Sequence, residues 1–116
     1  MRRIVVVIAL GVAAVGCSTV DPTPKLKAAT SAIEAAKAVG AANVPAAADL
    51  LSQAEKYLAT AQNLIKNGDP KAALQQLSLA SAAADDAKMT ATQANNMSKI
   101  KDLDAQIADL KTKLGK

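Results

Sequence analysis

The 116-residue chain has no histidine, tryptophan or phenylalanine, and only one tyrosine and one cysteine. Each absence closes a class of function. Without histidine, the usual catalytic dyads and the commonest metal sites lose their central group. A lone cysteine cannot close an intrachain disulfide. Nucleic acid is not an expected partner, because it would call for a concentrated basic face and aromatic groups to stack on bases, and the one tyrosine supplies no such platform. Asp85-Asp86 is the one adjacent acidic pair. Neighbours on a helix point about 100° apart, so the two form no paired-carboxylate site. Neither enzymatic activity nor a cofactor or metal is expected.

Glycine and proline are sparse as well, 5 and 4 residues, and their positions divide the chain. Alanine is by far the commonest residue and the best helix former, so an all-α fold is predicted. Small side chains let helices approach closely but bury little area each, at about 25 cal/mol per Å². A thin, elongated body follows. Ser18 to Pro24 reads as a linker stiffened by Pro22 and Pro24. Thr23 is the expected cap of a first helix running from Pro24 to about Val39, with Leu26, Ala29, Ile33 and Ala36 on one face. Gly40 ends it, and Asn43-Val44-Pro45 reads as the next cap and first turn. A second helix, Pro45 to Lys66, carries the best apolar stripe, including Leu51, Ala54, Tyr57, Leu58 and Ala61. Tyr57 belongs to that stripe as a partly buried core residue. Asn67-Gly68-Asp69-Pro70 combines a left-handed C-terminal glycine, a capping aspartate and a first-turn proline, so it predicts a tight turn between antiparallel helices.

No glycine or proline intervenes between Pro70 and Gly115, and one long third helix is predicted across that span. It carries two seams. Ala73, Leu77, Ala80, Ala84, Ala87, Ala91 and Ala94 alternate at spacings of four and three. Ile100, Leu103, Ile107, Leu110 and Leu114 do the same, but the step through Met97 breaks the phase, so the two halves should pack against different things. Isoleucine alternating with leucine favours a parallel two-stranded coiled coil, which marks this second set as a self-association seam. Either it packs on helix 1, or it projects beyond the hairpin and meets another chain. Asp102, Asp104 and Asp109 among Lys99, Lys101, Lys111 and Lys113 read as a solvated face of weak ion pairs. The expected architecture is an antiparallel helical hairpin or three-helix body, with a long C-terminal helix that projects as a coiled-coil-like rod.

At the other end, Arg2-Arg3 precedes a short aliphatic run, Ile4 to Val15, and the small residues before Cys17 close it. A basic head, a 7–15-residue apolar core and a small-residue exit are the parts of a secretory signal. The run is shorter than the about 20 residues a membrane-spanning helix needs. With the cysteine at its exit, the segment resembles a bacterial lipoprotein signal, although Ala14 stands where such signals usually carry leucine. That resemblance implies cleavage between Gly16 and Cys17 and diacylglycerol on the Cys17 sulfur. Ser18, next in line, implies sorting to the periplasmic face of an outer membrane. One acyl chain holds weakly, at about 0.8 kcal/mol per CH₂, and two or more anchor stably. Loss of Arg2 and Arg3 with the signal would lower the net charge from +4 to +2.

Three further stretches carry a family resemblance: Ala35-Ala36-Lys37-Ala38-Val39-Gly40-Ala41, Ala54-Glu55-Lys56-Tyr57-Leu58 and Asn67-Gly68-Asp69-Pro70-Lys71-Ala72-Ala73-Leu74. With them, residues 32–94 resemble a family of exported alanine-rich helical hairpins, domain of unknown function 4398. Members are often lipoproteins without catalytic activity, and some continue into a peptidoglycan-binding domain, from which no residue is carried over to this sequence. The Gly68 turn also resembles one tetratricopeptide unit, but no second copy follows to build a groove. Leu114-Gly115-Lys116 resembles the end of the murein lipoproteins, whose terminal lysine is joined to peptidoglycan, although their tyrosine-arginine-lysine ending is missing. As an ordinary basic tail, Lys116 would complement the helix dipole.

The expected organisation is a signal at 1–16, a lipidated linker at 17–24, an alanine-rich hairpin at 25–94 and a coiled-coil segment at 95–116. The function expected is that of a lipid-anchored, non-enzymatic envelope protein with a structural or protein-interaction role. Its partners would be the membrane through Cys17, a second copy as a coiled-coil dimer, and peptidoglycan or an envelope protein. One alternative is a tether from the outer membrane to peptidoglycan through Lys116. Another is a periplasmic adaptor or chaperone-like module.

Overall fold

In the computed structural model, which describes residues 20–115, the chain forms three α-helices and no strand among those residues. Helix α1 spans Thr23–Ala38, α2 spans Pro45–Lys66 and α3 spans Pro70–Leu114. A single 3₁₀ turn, Ala41–Asn43, joins the first two.

The ends of these helices follow from local chemistry. Gly40, with φ +83°, leaves α1 in the left-handed region that L side chains resist, and its amide donates to the Lys37 carbonyl at 2.9 Å. The α2–α3 turn is a complete Schellman arrangement. Asp69 N donates to the Leu64 carbonyl at 2.9 Å and Gly68 N to that of Ile65 at 3.1 Å, with Gly68 at φ +82°. Asp69 then serves the next helix, its Oδ1 accepting from the Ala72 amide at 3.0 Å, with Pro70 in the first position. One residue therefore closes one helix with its backbone and opens the next with its side chain.

Two expected caps differ. Thr23 lies inside α1, Pro22 occupies the N-cap, and the side chain that meets the first turn is Asp21, whose Oδ1 accepts from the Thr23 amide at 2.9 Å. Pro24 in the second position has no N–H to satisfy, which permits the helix to begin one residue earlier. Asn43 does not cap α2. It ends the 3₁₀ turn, and Val44 stands at the N-cap without a side-chain hydrogen bond.

The core is built almost wholly from alanine. Among the described residues its buried members are alanines joined by Ile33, Leu51 and Leu77, and no polar side chain is buried with them. Two layers fill the bundle. One holds Ala29, Ala61, Ala73, Leu77 and Ala80 near the Gly68 turn. The other holds Ile33, Leu51, Ala54, Ala84, Ala87 and Ala91. Tyr57 and Leu58, half-buried, pack against both and join them. Every predicted member of the first α3 seam from Ala73 to Ala91 is buried, and Ala94 is half-buried. Because α1 also packs along α3, the body is a three-helix bundle rather than a bare hairpin.

Candidate interaction surface

Helix α3 outlasts its partners. With α1 and α2 only 16 and 22 residues long, nothing covers the last part of its 45. Ala91 is its last fully buried residue, and every residue from Asn95 to Gly115 is exposed. At about 1.5 Å per residue, Asn95 to Leu114 projects roughly 30 Å beyond the bundle. Of the two arrangements open to the C-terminal heptads, packing on helix 1 is therefore not the one adopted.

A side chain fixes the point of departure. The Asn95 Nδ2 group donates to the Val39 carbonyl at 2.9 Å, a contact between residues 56 apart in sequence. Val39 is the C-cap of α1, where helix carbonyls lack intrahelical partners. Nothing in the sequence distinguishes Asn95 from Asn96 for this role, because the pairing depends on where α1 happens to stop.

Beyond that clamp, Ile100, Leu103, Ile107, Leu110 and Leu114 form a stripe, 57% exposed at Ile100 and 83% at Leu114. Ile100 lies nine residues after Ala91, which at about 100° per residue is half a turn around the helix. The stripe thus faces away from the side that α1 and α2 cover, and this is the phase break through Met97 made physical. Met89, two residues before Ala91, stands on the same outer side and is 70% exposed. A shallow groove there is lined by Asp85, Met89, Gln93, Asn96, Met97 and Ile100. The apolar surface therefore starts alongside the bundle, earlier than the heptads beginning at Ile100 suggest. Running the heptad back from Ile100 through Asn96 and Gln93 reaches Met89, which is the signal that would have found it.

Charged groups around this surface are solvated. Lys113 pairs with Asp109 one turn away at 3.0 Å, and Lys37 on α1 pairs with Glu55 on α2 at 2.6 Å. Asp85 and Asp86 are both exposed. Among the described residues no group of three or more acidic or thiol side chains could hold a metal ion. No described helix is long and apolar enough to cross a membrane. The Asp21 carboxyl is held below its ordinary pKa by the hydrogen bond from the Thr23 backbone amide, with a smaller contribution from the Thr23 side chain. The expected modification and sorting positions Gly16, Cys17 and Ser18, and the expected attachment point Lys116, lie outside the described residues.

In comparisons with known proteins, no family model, no curated protein and no solved structure matches this chain. The resemblances noted above rest on the residues quoted for them.

Proposed function

We propose that the protein is a non-enzymatic, lipid-anchored cell-envelope component whose bundle holds α3 at its base and offers the projecting end to a helical partner. The observation that carries this reading is the uncovered stripe from Ile100 to Leu114, on a helix tied down at Asn95. An exposed apolar stripe at 3.5-residue spacing has no use to a monomer in water and is the form a helix takes before it pairs.

Topology adds direction. Leu26 near the start of α1 packs in the same layer as Leu64 and Ile65 beside the Gly68 turn. An anchor on Cys17 would therefore sit at the turn end of the bundle, and the stripe would point away from the membrane. The lipobox-like run ending at Cys17 supports the anchor, and Ser18 supports the outer membrane.

Two measurements test the reading. Palmitate labelling in producing cells should mark the wild-type chain and not Cys17→Ser, with intact mass placing the lipid on a mature N-terminus at Cys17. An unmodified N-terminus elsewhere would overturn the anchor. Truncation after Asn96 should leave the bundle folded and abolish its assembly into larger species. Unchanged assembly would overturn the role of the stripe.

A further inference from the structure

We infer that the partner of the projecting segment is a second copy of this chain, paired parallel and in register along the outer face of α3 from Met89 to Leu114. The inference rests on the reading just given and names its occupant. Placing Ile100 at heptad position a puts Gln93, Ile107 and Leu114 at a, with Met89, Asn96, Leu103 and Leu110 at d. β-Branched isoleucine at a with leucine at d is the two-stranded parallel preference.

Charge and polarity select the same arrangement. Lys99 falls at g and Asp104 at e, five residues on, so in a parallel pair each Lys99 meets the partner's Asp104, giving two attractive contacts per dimer. Parallel alignment also sets Asn96 against Asn96 and Gln93 against Gln93, where amides can hydrogen-bond to each other. An antiparallel pair overlapping along the whole stripe would press Asn96 against Ile107 and Gln93 against Leu110, burying amides without partners. Shifting it to cover only Ile100 to Leu110 sets g beside g and e beside e, so each Lys99 meets the partner's Lys113 and the two Asp104 carboxylates face each other, like charge against like. The bundle does not obstruct the parallel pair, because Ala91, the last residue buried against α1 and α2, is half a turn from Ile100. Both bundles hang on the outside of the coil, and both turn ends point the same way, as two chains anchored in one membrane require.

Oxidative crosslinking of the full chain in producing cells tests this, with wild type as the control for Cys17. Gln93→Cys and Leu114→Cys, at opposite ends of the stripe, should each give a product of twice the chain mass, while Lys101→Cys at an outer position should give none. Lys99→Glu in either cysteine background should cut the yield several-fold, and adding Asp104→Lys should restore it. Mixed products only when Gln93→Cys and Leu114→Cys are coexpressed would overturn the parallel arrangement. A native mass of three chains in mild detergent would overturn the two-stranded one. Crosslinked products of another mass would overturn the second copy while leaving the helical-partner function intact. A monomer that crosslinks to nothing would overturn both. Palmitate labelling is read separately, so failure of the pairing is distinguishable from failure of the anchor.

Discussion

The Asn95 side-chain amide donates to the Val39 carbonyl across 2.9 Å, and there α3 leaves the bundle. Below this bond, alanines of α3 are packed against α1 and α2. Above it, every residue of the helix is exposed. The bond holds the end of the shortest helix to the longest one, where the alanine layer has run out.

Asn95→Ala should destabilise the bundle by about 1 kcal/mol, the usual net value of one hydrogen bond whose carbonyl can turn to water instead. Thermal unfolding followed by circular dichroism, at a dilution where the chain is monomeric, would read this, and under the same condition Asn96→Ala should leave the midpoint unchanged.

Leu77 is the largest fully buried side chain among the described residues, in a core otherwise short of volume. Leu77→Ala should cost about 2–5 kcal/mol, because the neighbouring alanines have no atoms to move into the space. In the opposite sense, Ala84→Leu should cost about 1–3 kcal/mol by forcing the helices apart. Ile107→Ala should spare the unfolding of a dilute monomer and weaken only its association, since Ile107 touches nothing in its own chain's bundle. Unfolding at low and high protein concentration separates the two effects.

Gly68→Ala isolates backbone strain. A Cβ added there meets nothing within 4 Å, so the substitution is penalised only through its φ of +82°. The expected loss is about 1–2 kcal/mol, the left-handed penalty of a non-glycine residue. Gly68→Asn, which tolerates that region, should lose less.

Asp21 gives a pH signature. Its folded-state pKa lies below the ordinary 3.8, chiefly through the Thr23 amide. Its stabilisation of the α1 start is therefore fully present above that ordinary value. It is lost as pH falls through the lowered folded-state value. The protection factor of the Thr23 amide, measured by NMR against the intrinsic exchange rate at each pH and compared with the rest of α1, should fall selectively on acidification. Asp21→Asn, whose side chain keeps an acceptor that does not titrate, should remove that dependence.

The Lys37–Glu55 pair joins α1 to α2 at 2.6 Å, yet both side chains are about half exposed. Lys37→Ala should shift stability by less than about 1 kcal/mol, and salt should shrink the difference further. A larger effect that persists in salt would mean that the lysine stem, not its charge, is what packs.

The three helices were legible in the sequence because their determinants are local. Pro45, Pro70, Gly40 and Gly68 act on the backbone within a turn of themselves, and the alanine seam of α3 is written in spacings of three and four. The unpartnered character of Ile100 to Leu114 was half legible, since the phase break through Met97 shows two faces without showing what covers either. Two expected caps, Thr23 and Asn43, differ by one residue from the observed Pro22 and Val44, neither of which makes a side-chain capping bond, because Thr23 is drawn into α1 and Asn43 into the 3₁₀ turn. Only the tertiary structure decided that α3 projects instead of folding back, that Asn95 rather than Asn96 reaches Val39, and that Met89 shares the outer face. Each of these depends on where α1 and α2 end in space relative to α3, a distance between residues tens of positions apart that no local preference encodes.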